Sequence, residues 1–165
     1  MTKKGRYVYE WPRPMLSADA VVFSFCRGRA RLLLIRRKNE PFKGKWAIPG
    51  GYVGIDEELE DAVVRELREE TGLTGIRLEQ MHTFGKCGRD PRGRQITVAF
   101  MGIAGQGHMR IKAGDDAAEA RWFEIEKLPE DLAFDHSEVA AFAIGKLKRK
   151  RIYRQKVRAA RKKRN

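Results

Sequence analysis

Residues 50–73 read GGYVGIDEELEDAVVRELREETGL, and this segment is the most informative part of the chain. Its composition favours a helix, and Gly72 stands where a helix would end, so the pattern predicts a helix over residues 55–71. At about 100° per residue, Glu66, Glu69 and Glu70 fall within an arc of about 100° on its last turns. Three carboxylates are therefore expected to face one region.

We expect such a cluster of acids to bind a cation. Carboxylates about 5–6 Å apart, at an effective dielectric near 20, repel by roughly 3 kcal/mol per pair. Clustered oxygen ligands are what hard ions such as Mg²⁺ and Mn²⁺ prefer. The alternative is an ordinary solvated amphipathic helix with its apolar residues inward: Leu59, Val63, Val64 and Leu67. Gly50 and Gly51 favour the metal site, because a permissive backbone could bring a carbonyl oxygen close to the same ion.

The spacing of Gly51, Glu57 and residues 65–73 (RELREETGL) resembles the signature of the Nudix hydrolase family at every fixed position. The resemblance extends to residues 44–51 (GKWAIPGG) and covers most of residues 7–145. It implies an α/β architecture, the Nudix fold, in which a mixed β-sheet is sandwiched between α-helices. It also implies hydrolysis of a nucleoside diphosphate linked to another group.

The resemblance implies roles for the residues that match the family signature. It implies that one or more Mg²⁺ ions, or alternatively Mn²⁺, are held by the main-chain oxygen of Gly51 and by Glu66, Glu69 and Glu70. Such ions neutralise the diphosphate, polarise the phosphorus and lower the pKa of a bound water. Glu57 and Arg65 are expected to form a salt bridge that orients the loop and the helix, which is a structural role.

A carboxylate must also take a proton from the attacking water. The candidates are Glu69 in the acidic helix, with Glu66 beside it, and acids of a later loop, Asp115, Asp116 and Glu119. The later acids have an alternative interpretation as a polar turn before the next strand. The sequence leaves this choice open.

The substrate is suggested by residues 84–100, which resemble ADP-ribose pyrophosphatases and related regulators of NAD metabolism, as do residues 133–136 (AFDH). Arg89, Arg92 and Arg94 are expected to contact phosphate or ribose oxygens, because guanidinium groups match both shapes. A solvated basic turn is the alternative. Arg36, with Arg37 and Lys38 after it, is a further substrate-binding candidate, although the end of a surface strand would also explain these residues.

The remaining pattern predicts strands, a helix, more strands and a second helix, which is typical of a mixed sheet with helices packed on it. The predicted strands cover residues 18–26 and 30–36 as a hairpin, then 76–84, 95–104 and 118–125, with a last helix beginning near Glu138. Alternating aromatic residues between Tyr7 and Trp11 predict an additional edge strand.

The net charge of +13 is confined to one end of the chain. Residues 146–165 hold 12 of the 35 Lys and Arg and no acid, whereas residues 1–145 hold 23 Lys and Arg against 22 Asp and Glu. We therefore expect a Nudix domain over residues 1–145 followed by a basic tail over 146–165. The tail could bind a polyanion such as RNA without specificity, although the body shows no aromatic and basic interleaving of the kind that binds single strands.

The leading functional hypothesis is Mg²⁺-dependent hydrolysis of ADP-ribose to AMP and ribose 5-phosphate. The alternatives are a pyrophosphohydrolase of RNA 5′ ends or nucleoside triphosphates, and a non-catalytic ADP-ribose sensor. No membrane segment or signal peptide is predicted, so a cytoplasmic protein is expected. A homodimer is suggested by the aromatic amino-terminal segment and by the resemblance.

Overall fold

The computed structural model describes residues 9–105, 111 and 117–162. Its elements follow in the order β1 (Met15–Cys26), β2 (Arg29–Arg37), β3 (Trp46–Ala47), β4 (Gly50–Tyr52), α1 (Leu59–Thr71), β5 (Leu78–Phe84), β6 (Gln95–Ile103), β7 (Ala117–Glu124), α2 (His136–Arg149) and α3 (Arg151–Lys162). None of the described helices is long and apolar enough to cross a membrane.

The strands form one mixed sheet with β1 near its centre. Along the main path the order is β3-β2-β1-β6-β5, while β4 pairs with β1 and β7 pairs with β2. β1 runs parallel to β6 and antiparallel to β2 and β4. Residues 17–24 of β1 are all buried, because this strand is covered on both faces, as its nearly continuous apolar sequence suggests.

Alternate residues of the central strands face different helices. On one face Val21, Leu32 and Leu34 pack with Val139 and Ala143 of α2. On the other face Ala20, Val22 and Leu33 pack with Val63 and Leu67 of α1. The period-two alternation of a strand thus divides the core into two layers. The predicted architecture, a mixed β-sheet between α-helices, is confirmed.

The helix predicted over residues 55–71 begins four residues later, at Leu59, and ends as predicted at Gly72. Gly72 has φ 70° and donates its N–H to the Arg68 carbonyl, as a left-handed cap does. The start was wrong because residues 54–57 form a turn, in which the Gly54 N–H donates to the Glu57 carboxylate at 2.9 Å.

The predicted hairpin and the later strands are present, with ends that differ by up to three residues. The edge strand predicted between Tyr7 and Trp11 is not: residues 9–11 lie outside any strand, and Tyr7 lies outside the described residues. Pro12 and Pro14 lack backbone donors, so pairing starts only at Met15, whose N–H donates to the Arg94 carbonyl.

The basic tail continues from α2 as a second helix. The predicted division between residues 145 and 146 falls within α2, which ends at Arg149 after the buried Leu147. Lys150 is extended, with ψ 140°, and breaks the helix before α3. Tyr153 of α3 packs against Phe25 of β1, with ring centroids 6.3 Å apart.

Candidate active site

A cleft of about 310 Å³ opens between the glycine-containing strand β4, the helix α1, the loop over residues 85–94 and the start of α2. Its lining includes the acids Glu66 and Glu70 together with Arg37, Arg89 and Arg92. The cleft therefore places a site for a cation next to cationic groups that suit a phosphate.

Glu70 is the most deeply buried acid of α1, with 7% of its surface exposed. Its carboxylate accepts the Gly50 N–H at 2.9 Å. Burial raises the pKa of Glu70 to about 8; the hydrogen bond from Gly50 opposes this rise, and the nearby Glu66 and Asp19 add to it. A cation close to Glu70 would stabilise the charged form of this buried carboxyl group.

Glu66 packs directly on Gly51. A Cβ atom at position 51 would overlap the Glu66 carboxylate, so glycine is what allows the strand and the acid to meet. Burial also raises the pKa of Glu66, although Arg65 opposes this effect. The backbone of Gly51 and the carboxylate of Glu66 are thus neighbours in the lining of the cleft.

Glu69 points elsewhere. Its side chain is 48% exposed, lies 3.3 Å from the Arg65 guanidinium and is absent from the cleft wall. Accordingly, no three His, Cys, Asp or Glu side chains among the described residues meet in a metal-binding arrangement. The donor set of Glu66, Glu70 and the Gly51 backbone nevertheless fits a hard divalent cation, because it consists of oxygen atoms whose negative charge is poorly solvated.

Glu57 and Arg65 form the salt bridge expected from the sequence. Arg65 donates to both carboxylate oxygens of Glu57, at 2.7 and 2.9 Å, and to the Tyr52 carbonyl at 3.0 Å. A further N–H reaches Glu66 at 2.6 Å. The Arg65 hydrogen bonds hold the pKa of Glu57 below its usual range. Arg65 therefore ties the loop before α1 to strand β4 and to an acid of the cleft.

The three arginines of the loop over residues 85–94 have different surroundings. Arg89 is almost fully buried and donates two hydrogen bonds to Asp135, at 2.8 and 2.6 Å. Arg92 pairs with Asp90 at 2.7 Å, and its guanidinium lies 5.2 Å from the centre of the Tyr52 ring. Of the three, Arg92 is the best placed for a ligand, because its side chain lines the cleft and is 37% exposed, whereas that of Arg89 is almost fully buried.

Arg94 and Arg36 lie outside the cleft wall. Arg94 donates to the Gly85 carbonyl at 2.7 Å and so closes its own loop. Arg36 is exposed and donates to the Gly44 carbonyl at 2.9 Å. Its neighbour Arg37 lines the cleft instead, because successive side chains of a strand face opposite sides of the sheet.

Several cleft residues were not singled out from the sequence. Gln95 is 2% exposed, and its Oε1 has no hydrogen-bond partner among the described residues. His136 is buried; its Nδ1 accepts the Ile48 N–H at 2.9 Å, and its Nε2 lies 4.0 Å from Asp19 Oδ2. Burial lowers the pKa of His136 to about 4 and raises that of Asp19 to about 6. Unlike Gln95 and Asp19, His136 was indicated by the sequence, through the AFDH segment that contains it.

Of the three candidate acids in the later loop, only Glu119 lies within the described residues. Asp115 and Asp116 lie outside the described residues. Glu119 is on β7, where it pairs in register with Arg36. Asp116 thus stays a prediction from the sequence.

Comparison with known proteins supplies the family. A family model described as the NUDIX domain matches residues 15–142. The chain belongs to the NUDIX family. This assignment agrees with the fold, and it covers the cleft together with all of α1 and the first half of α2.

Two curated relatives resemble this NUDIX protein over about two thirds or more of its length. The chain is 47% identical over 111 residues to an ADP-ribose pyrophosphatase of Methanocaldococcus jannaschii, covering 66% of this chain and 63% of that protein. It is 34% identical over 151 residues to the ADPR responsive transcriptional repressor NtrR of Acinetobacter baylyi, covering 87% and 58% respectively. The NUDIX chain thus spans about three fifths of the length of these relatives.

Solved structures resemble this NUDIX protein over most of its length. The NUDIX domain of Shewanella oneidensis NrtR, complexed with ADP ribose, has a TM-score of 0.75 and 31% identity, covering 83% of this chain and 90% of that chain. A MutT/nudix family protein from Enterococcus faecalis has a TM-score of 0.77 and 34% identity, covering 86% and 65%.

Proposed function

We propose that this NUDIX protein hydrolyses ADP-ribose to AMP and ribose 5-phosphate with the help of Mg²⁺ or Mn²⁺. The observation that carries the proposal is the cleft lining, which combines the desolvated carboxylates of Glu66 and Glu70 with Arg37 and Arg92. A diphosphate with a divalent ion matches both kinds of group at once. The similarity to an ADP-ribose pyrophosphatase supports the choice of substrate.

Glu66, Glu70 and the main-chain oxygen of Gly51 would hold the ion in this proposal, and Glu69 would join them by turning from Arg65 toward the cleft. A bound ion supplies charge neutralisation and activation of a water molecule. Arg65 keeps Glu66 in place through their 2.6 Å contact. Repulsion between Glu66 and Glu70 falls when the ion is present, so binding of the ion and ordering of the cleft support each other.

The substrate would lie beside the arginines of the cleft. Arg92 is partly exposed and would bind the diphosphate, while Arg37 adds a second positive charge to the cleft lining. The unpartnered Oε1 of Gln95 would accept a hydrogen bond from a ribose hydroxyl, which removes the cost of a buried unpaired oxygen. The Tyr52 and Phe134 rings beside Arg92 limit where its guanidinium can move.

We assign the acceptance of the water proton to Glu69. Its carboxylate is the most exposed of the three acids at the end of α1, so water can reach it, and Arg65 limits its movement. Proton transfer by a placed carboxylate is worth roughly 100-fold or more in rate. Asp116 is the alternative acceptor, which an Asp116→Asn variant tests directly.

The test is AMP release from ADP-ribose with Mg²⁺ or Mn²⁺ in the full chain. Glu69→Gln should lower kcat by roughly 100-fold or more, while Glu60→Gln, which changes an exposed acid in the first turn of α1, should not. A panel of nucleoside triphosphates and 5′-triphosphorylated RNA runs in parallel. Turnover of one of these without turnover of ADP-ribose would refute the proposed substrate.

A second candidate function is non-catalytic sensing of ADP-ribose. It is favoured by the similarity to the ADPR responsive repressor, which extends over 87% of this chain. A sensor would bind ADP-ribose in calorimetry while releasing no AMP with either metal. Measurable AMP release that Glu69→Gln abolishes would exclude this candidate.

A further inference from the structure

An exposed group of aromatic rings lies on the surface where strand β5 meets helix α2, away from the acidic helix α1. His82 and Phe142 stack with ring centroids 4.6 Å apart and an interplanar angle of 24°. Phe84 meets both rings edge-on, at 4.9 and 5.8 Å. Phe142 is 39% exposed, and His82 is exposed as well. A stacked pair of rings in contact with solvent offers a flat apolar platform.

Cationic side chains border this platform. Lys146 donates to the Met81 carbonyl at 3.2 Å, next to His82 in the chain. Arg149 folds back toward Gly145, a position one turn from Phe142 on the same helix face. Lys150 and Lys86 lie 3.7 and 3.5 Å from acids that also belong to this region, Glu79 and Glu138.

The positive charge continues along α3. Arg151, Arg154 and Lys156 are exposed, and residues 146–165 contain no acid that could neutralise them. The aromatic platform with its flanking Lys and Arg residues and the exposed face of α3 is called the aromatic–basic surface below. Glu79 and Glu138 compensate only two of its charges, so the surface remains strongly cationic.

We propose that the aromatic–basic surface binds single-stranded nucleic acid. Bases of a single strand would stack on the platform of His82 and Phe142, and the phosphates would contact the Lys and Arg residues beside it. Aromatic rings next to cationic side chains are the combination that binds single strands without sequence preference. The sequence concealed this surface, because His82 and Phe142 are 60 residues apart and meet only in the fold.

Two other occupants fit the surface less well. A bilayer would need an apolar helix face free to insert, but Tyr153 of α3 packs against Phe25, and the apolar side of α2 is in the core. A second copy of the chain, docked by the same face, would bring its own Lys and Arg residues against these. A polyanion with exposed bases satisfies the charges and the rings together.

The test measures fluorescence anisotropy of labelled single-stranded RNA and DNA of about a dozen nucleotides, with duplex DNA in parallel, on the full chain. Phe142→Ala should weaken single-strand binding by roughly tenfold without changing its salt dependence, and Phe142→Trp should restore it. Arg151→Gln with Arg154→Gln should flatten the slope of log K against log salt, by about 0.7 for each lost phosphate contact.

Matched controls lie on the opposite face of the sheet. Val64→Ala removes an exposed apolar group from α1, and Arg68→Gln removes an exposed charge there; neither should alter binding. Thermal unfolding of each variant verifies that it folds. Equal binding by wild type, Phe142→Ala and the α3 variant would overturn the proposal, as would tight binding to anionic vesicles but not to oligonucleotides. A loss of self-association in Phe142→Ala with unchanged oligonucleotide binding would assign the surface to a second copy instead.

Discussion

Replacement of Arg89 by Met tests whether the loop over residues 85–94 is fastened to α2 by a buried ion pair. The side chains of Arg89 and Asp135 are only 4% and 10% exposed, and two short hydrogen bonds join them across 46 residues of sequence. The substitution leaves the Asp135 carboxylate buried without its cation. Loss of one partner of such a pair costs about 3–5 kcal/mol, so the midpoint of urea unfolding should fall by roughly 2 M.

The assay is urea denaturation of wild type, Arg89→Met, Asp135→Asn and the double variant. The double variant should recover about 2 kcal/mol relative to the sum of the two single losses, because no uncompensated charge then stays buried. Arg94→Met is the matched control; its exposed guanidinium binds only carbonyl groups, so it should cost less than about 1 kcal/mol. A loss below about 1 kcal/mol for Arg89→Met, which is typical of an exposed pair, would refute the buried anchor.

Two further predictions concern the glycine strand and the buried histidine. Gly51→Ala should lower AMP release by roughly 100-fold, because the new methyl group displaces the Glu66 carboxylate, and should leave the melting temperature nearly unchanged. Gly50→Ala should lower the melting temperature, because its methyl group would meet the backbone of β1 instead. Burial lowers the pKa of His136 to about 4 in the folded protein. Between pH 6.5 and 4, His136 is therefore protonated in the unfolded chain but not in the folded protein, so acid destabilises the wild type through this group. Relative to wild type, His136→Asn should therefore gain up to roughly 3 kcal/mol as the pH falls through this window, measured by urea unfolding at each pH; a difference that is independent of pH would contradict a buried neutral histidine.

Local features of the chain were predictable because they depend on neighbours in sequence. The spacing of hydrophobic residues and glycines predicted the first hairpin, the end of α1 at Gly72 and the central strands. The resemblance to the Nudix family implied the salt bridge between Glu57 and Arg65, which the structure contains. The architecture followed from the order of these elements and from the family signature.

The same helical geometry did not predict which acids enter the cleft. Glu69 and Glu70 are adjacent in sequence and were expected to act together, yet Glu70 is buried against Gly50 while Glu69 turns toward Arg65 and solvent. A wheel projection gives direction around a helix axis, but the strand that packs beside the helix determines which carboxylate is desolvated. That strand, β4, is positioned by its pairing with β1.

The sequence by itself thus determined the family fold, the acidic helix and the concentration of positive charge near the carboxyl end. Only the tertiary structure decided that Arg37 faces the cleft and that Arg89 is bound to Asp135. It also brought His82 and Phe142 together on the surface. The physical reason is the same in each case. A helix or a turn is specified by residues a few positions apart, whereas burial, ion pairing and ring stacking depend on groups that approach each other only when the sheet and its two helical layers pack.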